Sequence, residues 1–342
     1  MAIEKLGIEK FLALTTLHPV LDVRSPGEYT HAHIPGAHSF PLFSDEERKV
    51  VGTAYKQQSR EEAIKIGLDY FGAKMRRMVE EAEQIAQEDK TLLVHCWRGG
   101  MRSAGVAWLL DLYGFKVYTL VGGYKAFRRL MLQQFDKNYN FQILGGYTGS
   151  GKTEVLHELG NNGQCIIDLE AIAAHRGSAF GAVEGIPQPS QEMFENKLAL
   201  ELLKNENNTI WLEDESQRIG HVNIPHSIWR QMRSSPVTFL DIPFEERLKH
   251  IVAGYGKKDK EKLVNAIIRI KKRLGGLETK TAINCLLEDD YSGSFAVLLK
   301  YYDKHYKKAL AEHLPEKLTT IPCPVVNEKR NIKLLQAQLT TA

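Results

Sequence analysis

A single cysteine, Cys96, ends an apolar run and is followed almost at once by a glycine pair and two arginines. Residues 91–94 predict a strand and residues 101–112 a helix, so Cys96 lies on a strand-to-helix turn. Five residues separate Cys96 from Arg102, enough for backbone amides to surround one tetrahedral anion while Arg98 and Arg102 supply positive charge. The same surroundings favour the thiolate of a nucleophile. The sequence therefore predicts Cys96 as a catalytic nucleophile, with an anion loop formed by Trp97, Arg98, Gly99, Gly100, Met101 and Arg102.

A second glycine loop, residues 146–153, reads Gly-Tyr-Thr-Gly-Ser-Gly-Lys-Thr and stands between a strand pattern and a helix pattern. This is the P-loop motif in its required context. Its glycines let backbone amides close on a di- or triphosphate, Lys152 adds a positive charge, and Thr153 can hold a magnesium ion. The motif predicts phosphate binding but does not say whether the phosphates belong to ATP. The predicted diphosphate-binding residues are Gly146, Thr148, Gly149, Ser150, Gly151, Lys152 and Thr153.

Carboxylates follow two later strand patterns. Residues 166–167 lead to Asp168 and Glu170, and residues 210–212 lead to Glu213. Strand ends of P-loop domains lie beside the phosphates, where a carboxylate can orient a metal, a water or a substrate group. Glu213 is the best candidate for the metal side, although the sequence fixes no metal site. For Asp168 and Glu170, helix capping is an equally good explanation.

The net charge of +3 is too small to indicate nucleic-acid binding, so any basic surface has to be local. Residues 257–273 carry eight basic and two acidic side chains, a local charge of +6 that could hold RNA phosphates. A solvated helix face explains such a run equally well. On a later helix pattern, three tyrosines could stack on bases or belong to a core, namely Tyr301, Tyr302 and Tyr306. The candidate RNA contacts are Lys271, Lys272, Arg273, Lys56 and Gln57.

Length and composition fit two globular domains. The chain has 342 residues, of which 43% are hydrophobic and 25% charged, which is enough for two domains of ordinary size. A helix end and linker over residues 130–140 put the boundary near Asp136, giving domains 1–136 and 137–342, with a helical pattern from about residue 248. Strand patterns alternating with helix patterns predict an α/β fold.

Cysteine usage and hydropathy indicate a cytoplasmic protein. The four cysteines show neither metal-ligand spacing nor a paired framework, which suits a reducing compartment. No apolar run approaches the roughly 18 residues of a spanning helix, so no membrane association is expected. Cys165 lies in an apolar run and is expected in the core. Cys96 could also be a core cysteine, but a core strand end does not require a glycine pair and two arginines.

The first strand unit resembles the opening of a rhodanese domain. Asp22 and Arg24 close an apolar strand, Glu28 follows, and residues 33–37 read His-Ile-Pro-Gly-Ala, with a reactive cysteine loop later in the chain. The resemblance implies a rhodanese-like parallel-sheet domain ahead of a P-loop NTPase-like α/β domain with a helical C-terminal part. Sulfurtransferases of this fold usually have four residues between cysteine and arginine, whereas this chain has five, as in phosphatases that share the fold. The longer loop favours an enzyme that meets phosphate, or a selenium or sulfur analogue of it.

Several motifs taken together resemble the tRNA 2-selenouridine synthase family. They run in order over about residues 21–247 and include the Lys56-Gln57-Gln58 stretch, the cysteine loop, the P-loop, His175-Arg176-Gly-Ser178, residues 188–196 and residues 215–220. Within them, Arg176 is a further candidate for orienting substrate or metal.

The resemblance to this family implies a transferase that replaces sulfur by selenium in 2-thiouridine at the tRNA wobble position. The sulfur is first alkylated by geranyl diphosphate, and selenophosphate then displaces it. The substrates would bind without a tightly bound cofactor, although magnesium can accompany the P-loop. The implied partners are the anticodon region of tRNA and an enzyme that supplies selenophosphate. The P-loop would serve the first step and Cys96 the second.

Three alternatives remain open. Residues 241–247 resemble a segment of small-molecule kinases, so a kinase or ATPase fused to a rhodanese-like sulfurtransferase domain is one. A phosphatase that uses Cys96 is another, and a non-catalytic RNA-binding module is the third. The sequence does not fix the oligomeric state.

Overall fold

The computed structural model describes residues 3–175, 186–255, 259–311 and 315–341. Contacts divide the chain into two units, Met1–Gln134 with Glu195–Ala199, and Phe135–Phe194 with Leu200–Ala342. Both are α/β units built on a parallel sheet, as the sequence predicted. Arg176, together with Lys257 and Lys258 of the basic run, lies outside the described residues.

The first unit is a parallel sheet with helices on its faces. Its strands are β1 (Glu4–Leu6), β2 (Val20–Asp22), β3 (His38–Ser39), β4 (Thr91–His95) and β5 (Lys116–Leu120). Its helices are α1 (Ile8–Leu14), α2 (Pro26–His31), α3 (Asp45–Gln57), α4 (Arg60–Gly72), α5 (Met75–Ala86), α6 (Met101–Tyr113) and α7 (Gly123–Gln134). Within residues 3–134 the strand order is β1-β5-β4-β2-β3. Strand β4 therefore lies in the middle of the sheet, and Cys96 follows it directly.

The position of β4 explains its sequence. Residues 92–95 are buried, because helices cover both faces of the sheet, and such a central strand reads as one apolar run. Helix α6 ends at Gly114, whose positive φ of 113° is the left-handed conformation that glycine tolerates best. The cysteine loop is thus held between a buried strand and a helix of fixed length.

The second unit carries a second parallel sheet. Its strands are β6 (Asn140–Gly146), β7 (Cys165–Ile167), β8 (Thr209–Glu213), β9 (Arg218–Ile219), β10 (Val222–Asn223), β11 (Val237–Asp241) and β12 (Leu318–Pro322). Its helices are α8 (Lys152–Asn161), α9 (Leu169–Ala173), α10 (Gln191–Lys204), α11 (His226–Ser234), α12 (Phe244–Tyr255), α13 (Lys260–Leu274), α14 (Gly276–Leu287), α15 (Tyr291–Leu310) and α16 (Glu328–Thr341), although the middle of α10, Glu195–Ala199, belongs to the first unit. The described strands pair in the order β12-β11-β6-β8-β7, with β9 and β10 forming a separate antiparallel pair. Strand β6 leads into the P-loop, and the end of β8 lies beside it.

The C-terminal part is largely helical and also contributes to the sheet. Helices α12 to α15 share one hydrophobic core. Strand β12 then pairs in parallel with β11, and Ile332 and Leu335 of α16 pack with Leu156 of α8 in the core under the sheet. Strand β12 and the first half of α16 therefore belong to the body of the P-loop unit.

Cys165 differs from its expected place in the core. Its side chain is only partly buried, because β7 lies at the edge of the sheet and pairs with one neighbouring strand instead of two. In the part of the chain that the structure describes, no helix is long and apolar enough to cross a membrane.

Candidate active sites

The Cys96 thiol is surrounded by neutral hydrogen-bond donors. Its Sγ lies 3.3 Å from the amide nitrogen of Gly100, which donates to it, and 3.2 Å from the Ser103 hydroxyl on the first turn of α6. Burial alone would raise the pKa of this thiol, since the side chain is 3% exposed. The Ser103 hydroxyl and the backbone amides of Ser103, Arg98 and Gly100 nevertheless hold the pKa of Cys96 below its ordinary value. The loop therefore favours the thiolate.

The guanidinium groups of Arg98 and Arg102 are not among the main groups that lower this pKa. Arg98 has an exposed side chain. Arg102 is partly buried, and its Nη1 donates to Glu28 Oε2 at 3.0 Å. The same carboxylate accepts from Arg48 at 3.0 Å, and its pKa stays below the usual range despite burial because Arg102 and Arg48 are close. The positive charge of Arg102 is thus tethered by Glu28 at the loop.

A fully buried ion pair, Arg24 with Asp22, lies next to the cysteine loop. Arg24 donates to Asp22 from Nε at 2.9 Å and from Nη2 at 2.6 Å, and its guanidinium lies 3.9 Å from the centroid of the Tyr124 ring. Burial would raise the pKa of Asp22, but His95 and Arg24 hold it low. Burial lowers the pKa of His95, whose Nε2 lies 3.7 Å from Asp22. The Arg24 guanidinium also lies 5.8 Å from the centroid of the Trp97 ring, so the ion pair packs next to the loop.

The start of α7 closes the loop from the other side. The amide of Tyr124 donates to the Cys96 carbonyl at 2.8 Å and that of Lys125 to the Trp97 carbonyl at 3.0 Å. Gly123 has a φ of +57°, and a Cβ there would collide with the Cys96 carbonyl oxygen. Helix α7 thus holds the carbonyls of Cys96 and Trp97, and the amides that donate to the sulfur belong to the residues that follow, Arg98, Gly100 and Ser103. The exposed side chains of the loop are those of Trp97, Arg98 and Met101.

The P-loop has the backbone that its sequence requires. Gly149 and Gly151 have φ values of +80° and +73°, and a Cβ on Gly149 would lie 2.7 Å from Ile251. The Lys152 ammonium donates to the Gly146 carbonyl at 3.1 Å. Ser150 is buried, and its hydroxyl has no hydrogen-bond partner in the part of the chain that the structure describes. Lys152 and Ser150 thus lie within a loop whose amides can receive an anion.

Three glutamates meet beside the P-loop threonine. Thr153 donates to Glu213 Oε1 at 2.8 Å, and the other oxygen of this buried carboxylate has no hydrogen-bond partner among the described residues. Oxygens of Glu170, Glu213 and Glu215 lie within 4.8 Å of one another. Burial and the neighbouring carboxylates raise the pKa of Glu170 to about 9 and that of Glu215 to about 8, and burial raises the pKa of Glu213. Such a cluster fits a divalent cation or retains protons.

Asp168 has a local role. It caps α9 by accepting from the amide of Ala171 at 2.7 Å, and it pairs with His157 at 2.6 Å. Asp168 is therefore a helix N-cap, which was one of the two explanations offered for it. Its charge also acts on Glu213 and Glu170, whose carboxyl pKa values it helps to raise.

Tyr306 belongs to the P-loop site. Its hydroxyl accepts from the amide of Gly146 at 3.1 Å and donates to Asp214 at 2.6 Å, so its ring is not free to stack on a base. Arg247, from the segment that resembled a kinase, donates to the Thr148 carbonyl at 3.1 Å and pairs with Asp303. Arg247 is 3% exposed, so it supports the loop backbone from behind.

The candidate RNA contacts lie on the surfaces of their own units. Lys56 and Gln57 end α3 and are exposed. Lys271, Lys272 and Arg273 end α13 and are exposed, where they also compensate the negative end of the helix dipole.

Sequence reasoning missed four residues of these sites. Ser103 and Gly123 stand next to motifs that were recognised, and Glu215 lies two residues after Glu213, so that alternate side chains of one segment reach the same edge. Tyr306 was considered for base stacking or a core, but it is 160 residues from Gly146, and the sequence gave no signal for their contact.

The chain matches two family models. Residues 8–130 match the rhodanese-like domain, and residues 139–320 match the AAA domain of tRNA 2-selenouridine synthase. A tRNA 2-selenouridine synthase of Marinobacter nauticus is 35% identical over 91% of this chain and 93% of its own length. One from Nitrosomonas europaea is 39% identical over 73% of this chain and 67% of its own length, and one from Pseudomonas putida KT2440 is 34% identical over 84% and 86%.

Two glycine loops, one around a cysteine and one around a lysine, thus occur in one chain together with both matching domains and with relatives similar over most of its length. On these grounds the chain belongs to the tRNA 2-selenouridine synthase family.

Proposed function

We propose that this protein replaces sulfur by selenium in 2-thiouridine at the tRNA wobble position, in two steps carried out at its two anion loops. The P-loop unit transfers a geranyl group from geranyl diphosphate to the sulfur, and the Cys96 unit then uses selenophosphate to displace the geranylated sulfur. The observation that carries the proposal is the pair of loops, each built for a different anion. We place this transferase in the cytoplasm, where thiolated tRNA is its substrate.

In the first step, the thiocarbonyl sulfur attacks C1 of the geranyl chain, the carbon–oxygen bond breaks, and diphosphate leaves with the electron pair. The P-loop supports this step because its amides and Lys152 meet the negative charge that grows on the leaving diphosphate. The step does not require ATP hydrolysis. The role of Lys152 is thus to stabilise a leaving group.

A magnesium ion fits the P-loop site. Magnesium prefers hard oxygen ligands, and Glu213 Oε2 is one that has no hydrogen-bond partner within the described ranges. The Thr153 hydroxyl and the nearby carboxylates of Glu170 and Glu215 are others. When bound, the ion would neutralise charge on the diphosphate. Glu213 and Thr153 would hold it, and Lys152 would contact the phosphate oxygens directly.

In the second step, the Cys96 loop receives the tetrahedral selenophosphate. The loop amides and Arg102 supply donors and charge, and Glu28 keeps Arg102 at the loop. Alkylation matters here, because a thiocarbonyl sulfur is a poor leaving group until it carries the geranyl chain. Selenium of the bound anion attacks C2 of the base, the carbon–sulfur bond breaks, and geranylthiolate leaves with the electron pair. Water then cleaves the selenium–phosphorus bond and releases phosphate, which leaves 2-selenouridine. Cys96 lies in the loop that receives the anion, and its own part in the step is what Cys96→Ala tests.

The tRNA would bind through exposed basic side chains. Lys271, Lys272 and Arg273 on α13 are the proposed phosphate contacts in the second unit, and Lys56 with Gln57 those in the first. The anticodon region with 2-thiouridine is the substrate, and an enzyme that makes selenophosphate is the expected supplier.

One experiment tests the whole proposal. Thiolated tRNA is incubated with the protein and either geranyl diphosphate, selenophosphate or both, and the nucleosides are identified by mass spectrometry. We expect S-geranyl-2-thiouridine with the first, no new nucleoside with the second, and 2-selenouridine with both. The kinase alternative predicts ATP turnover without RNA, and the phosphatase alternative predicts release of phosphate from an aryl phosphate. Either result without nucleoside conversion would overturn the proposal.

A further inference from the structure

Helix α15 holds the P-loop from behind at its first glycine. The Tyr306 hydroxyl accepts a hydrogen bond from the amide of Gly146 at 3.1 Å and donates one to Asp214 Oδ2 at 2.6 Å. Gly146 and Asp214 are both buried, and Asp214 directly follows Glu213 at the end of β8. One hydroxyl therefore joins the end of β6, where the loop begins, to the end of β8, where the carboxylates lie.

The same helix holds the loop a second time, through an arginine. Asp303 lies one helical turn before Tyr306 and accepts from both terminal nitrogens of Arg247, at 2.9 and 2.8 Å. Arg247 in turn donates to the Thr148 carbonyl at 3.1 Å. A bidentate arginine pair has a defined geometry, so it fixes the carbonyl that it reaches. The two contacts of α15 thus set the loop backbone at residues 146 and 148.

The ring of Tyr306 also lies close to the charged group of the loop. The Lys152 ammonium is 5.8 Å from the ring centroid, within the range of a cation–π interaction. The ring packs on Tyr147 of the P-loop, with 5.6 Å between centroids, and on Phe239 of β11, with 6.0 Å. A Cβ on Gly145 would come within 3.3 Å of the Tyr306 oxygen, so a glycine leaves room for it. Hydroxyl and ring therefore act on one loop.

We propose that Tyr306 is a positioning residue of the diphosphate site, and that it acts with the Asp303–Arg247 pair to hold the P-loop in its ligand-binding form. The inference rests on the proposed function, in which the ligand is the diphosphate of geranyl diphosphate. A loop that is ordered before binding loses less conformational freedom on binding and so binds more tightly. The C-terminal helices are, on this view, part of the diphosphate site.

The test compares Tyr306→Phe with Tyr301→Phe on the same helix. Both variants lose one hydroxyl and keep the ring, but Tyr301 contacts Tyr302 and His305 and has no described bond to the P-loop. Inorganic pyrophosphate with magnesium serves as the probe, and its dissociation constant is measured by calorimetry. We expect a rise of about tenfold for Tyr306→Phe, the size of one lost hydrogen bond, and no change for Tyr301→Phe.

Kinetics give the readout that a purely structural role would not move. For Tyr306→Phe we expect the KM for geranyl diphosphate to rise about tenfold while kcat at saturation stays within about twofold. Selenation of RNA that is already geranylated should be unchanged, because it uses the other unit. If Tyr306→Phe does not fold, Asp303→Asn takes its place with the same expectations.

The outcomes separate the inference from the proposed function. If folded Tyr306→Phe binds pyrophosphate as tightly as the unchanged protein, the positioning role is wrong even though the P-loop binds diphosphate. If the unchanged protein neither binds pyrophosphate nor transfers the geranyl group, the proposed function is wrong. Equal losses in Tyr306→Phe and Tyr301→Phe would also overturn the inference, since the effect would then not depend on the contact with Gly146.

Discussion

The cysteine loop and the P-loop share a local design and differ in their electrostatics. Each follows a central strand of a parallel sheet, β4 or β6, and each leads into a helix. Near Cys96, Arg102 is paired with Glu28 and Arg24 with Asp22, and neutral donors lower the pKa of the thiol. Beside Lys152 three carboxylates face one another, and the pKa values of Glu170 and Glu215 rise to about 9 and about 8.

The difference indicates what each loop needs from its ligand. The cysteine loop stabilises the thiolate with its own neutral donors, while the charge of Arg102 is already balanced by Glu28. The P-loop has more negative charge than Lys152 can balance, so its anion has to be accompanied by a cation or by protons. A diphosphate that leaves together with magnesium meets this requirement, whereas selenophosphate suits the cysteine loop. Each prediction below tests one side of this comparison.

The largest effect should come from removing the central group of each loop. Lys152→Ala removes the charge that meets the leaving diphosphate, so we expect geranylation to fall about a hundredfold or more while selenation of geranylated RNA continues. Cys96→Ala should do the reverse and accumulate geranylated tRNA. Nucleoside mass spectrometry after each half-reaction measures both rates, and each variant is the control for the other. Loss of both steps in either folded variant would mean one shared active centre.

The next effect concerns protons at the carboxylate cluster. The pKa values of Glu170 and Glu215 are raised above those of the unfolded chain, so their contribution to stability is complete below about pH 4.3 and is lost as pH rises toward about 9. Without divalent cations, we therefore expect the Tm to fall between pH 5 and 9. Magnesium should raise the Tm more at pH 8.5 than at pH 5.5, because at low pH it competes with protons.

The matched variant for this effect is Glu215→Gln, which removes one like charge and keeps the shape. It should flatten the decline of Tm with pH in the absence of magnesium. Differential scanning calorimetry across the pH range gives both results. A magnesium effect that is equal at both pH values would show that the ion does not bind to these carboxylates.

The sequence predicted the fold through its local signals. The apolar strand before Cys96, the glycine after α6 and the P-loop motif each depend on neighbouring residues, and the α/β fold class was confirmed. Helix α6 covers residues 101–113, close to the predicted 101–112. Periodicity and turn chemistry are enough for such elements, because these rules involve residues within a few positions of one another.

Other parts of the sites depend on contacts between distant residues. Glu28 lies 74 residues from Arg102 in the sequence, and their ion pair holds the arginine side chain at the loop. Tyr306 reaches Gly146 across 160 residues, so a tyrosine that could have stacked on RNA serves the P-loop instead. Cys165 is partly exposed because its strand lies at the sheet edge, and strand order is not written in the local sequence.

A smaller effect should follow from Ser103→Ala. The variant removes the hydroxyl 3.2 Å from Cys96 Sγ, and with it the largest of the hydrogen bonds that lower the pKa of this thiol. The thiol pKa should rise, so alkylation by iodoacetamide near neutral pH should slow by about tenfold. The pH profile of the alkylation rate should move to higher pH, and Cys165 in the same protein is the internal control. An unchanged profile would mean that the Ser103 hydroxyl does not lower the pKa of Cys96, and that the positive charges of Arg98 and Arg102 do so instead.

The smallest effect tests whether the two loops, though separate in chemistry, share one bound RNA. Lys271 and Lys272 are exposed at the end of α13, and reversing both to Glu should weaken tRNA binding about fivefold to tenfold at moderate salt. The slope of log K against log salt should become shallower by roughly 1.5, because two phosphate contacts are lost. The control reverses Lys329 and Arg330, an exposed basic pair on α16.

If one RNA serves both steps, the α13 variant should lower kcat/KM for geranylation and for selenation by the same factor, since the loss is in binding. A loss confined to geranylation would instead mean that α13 holds the RNA only while it is at the P-loop, and that the cysteine unit has an RNA surface of its own.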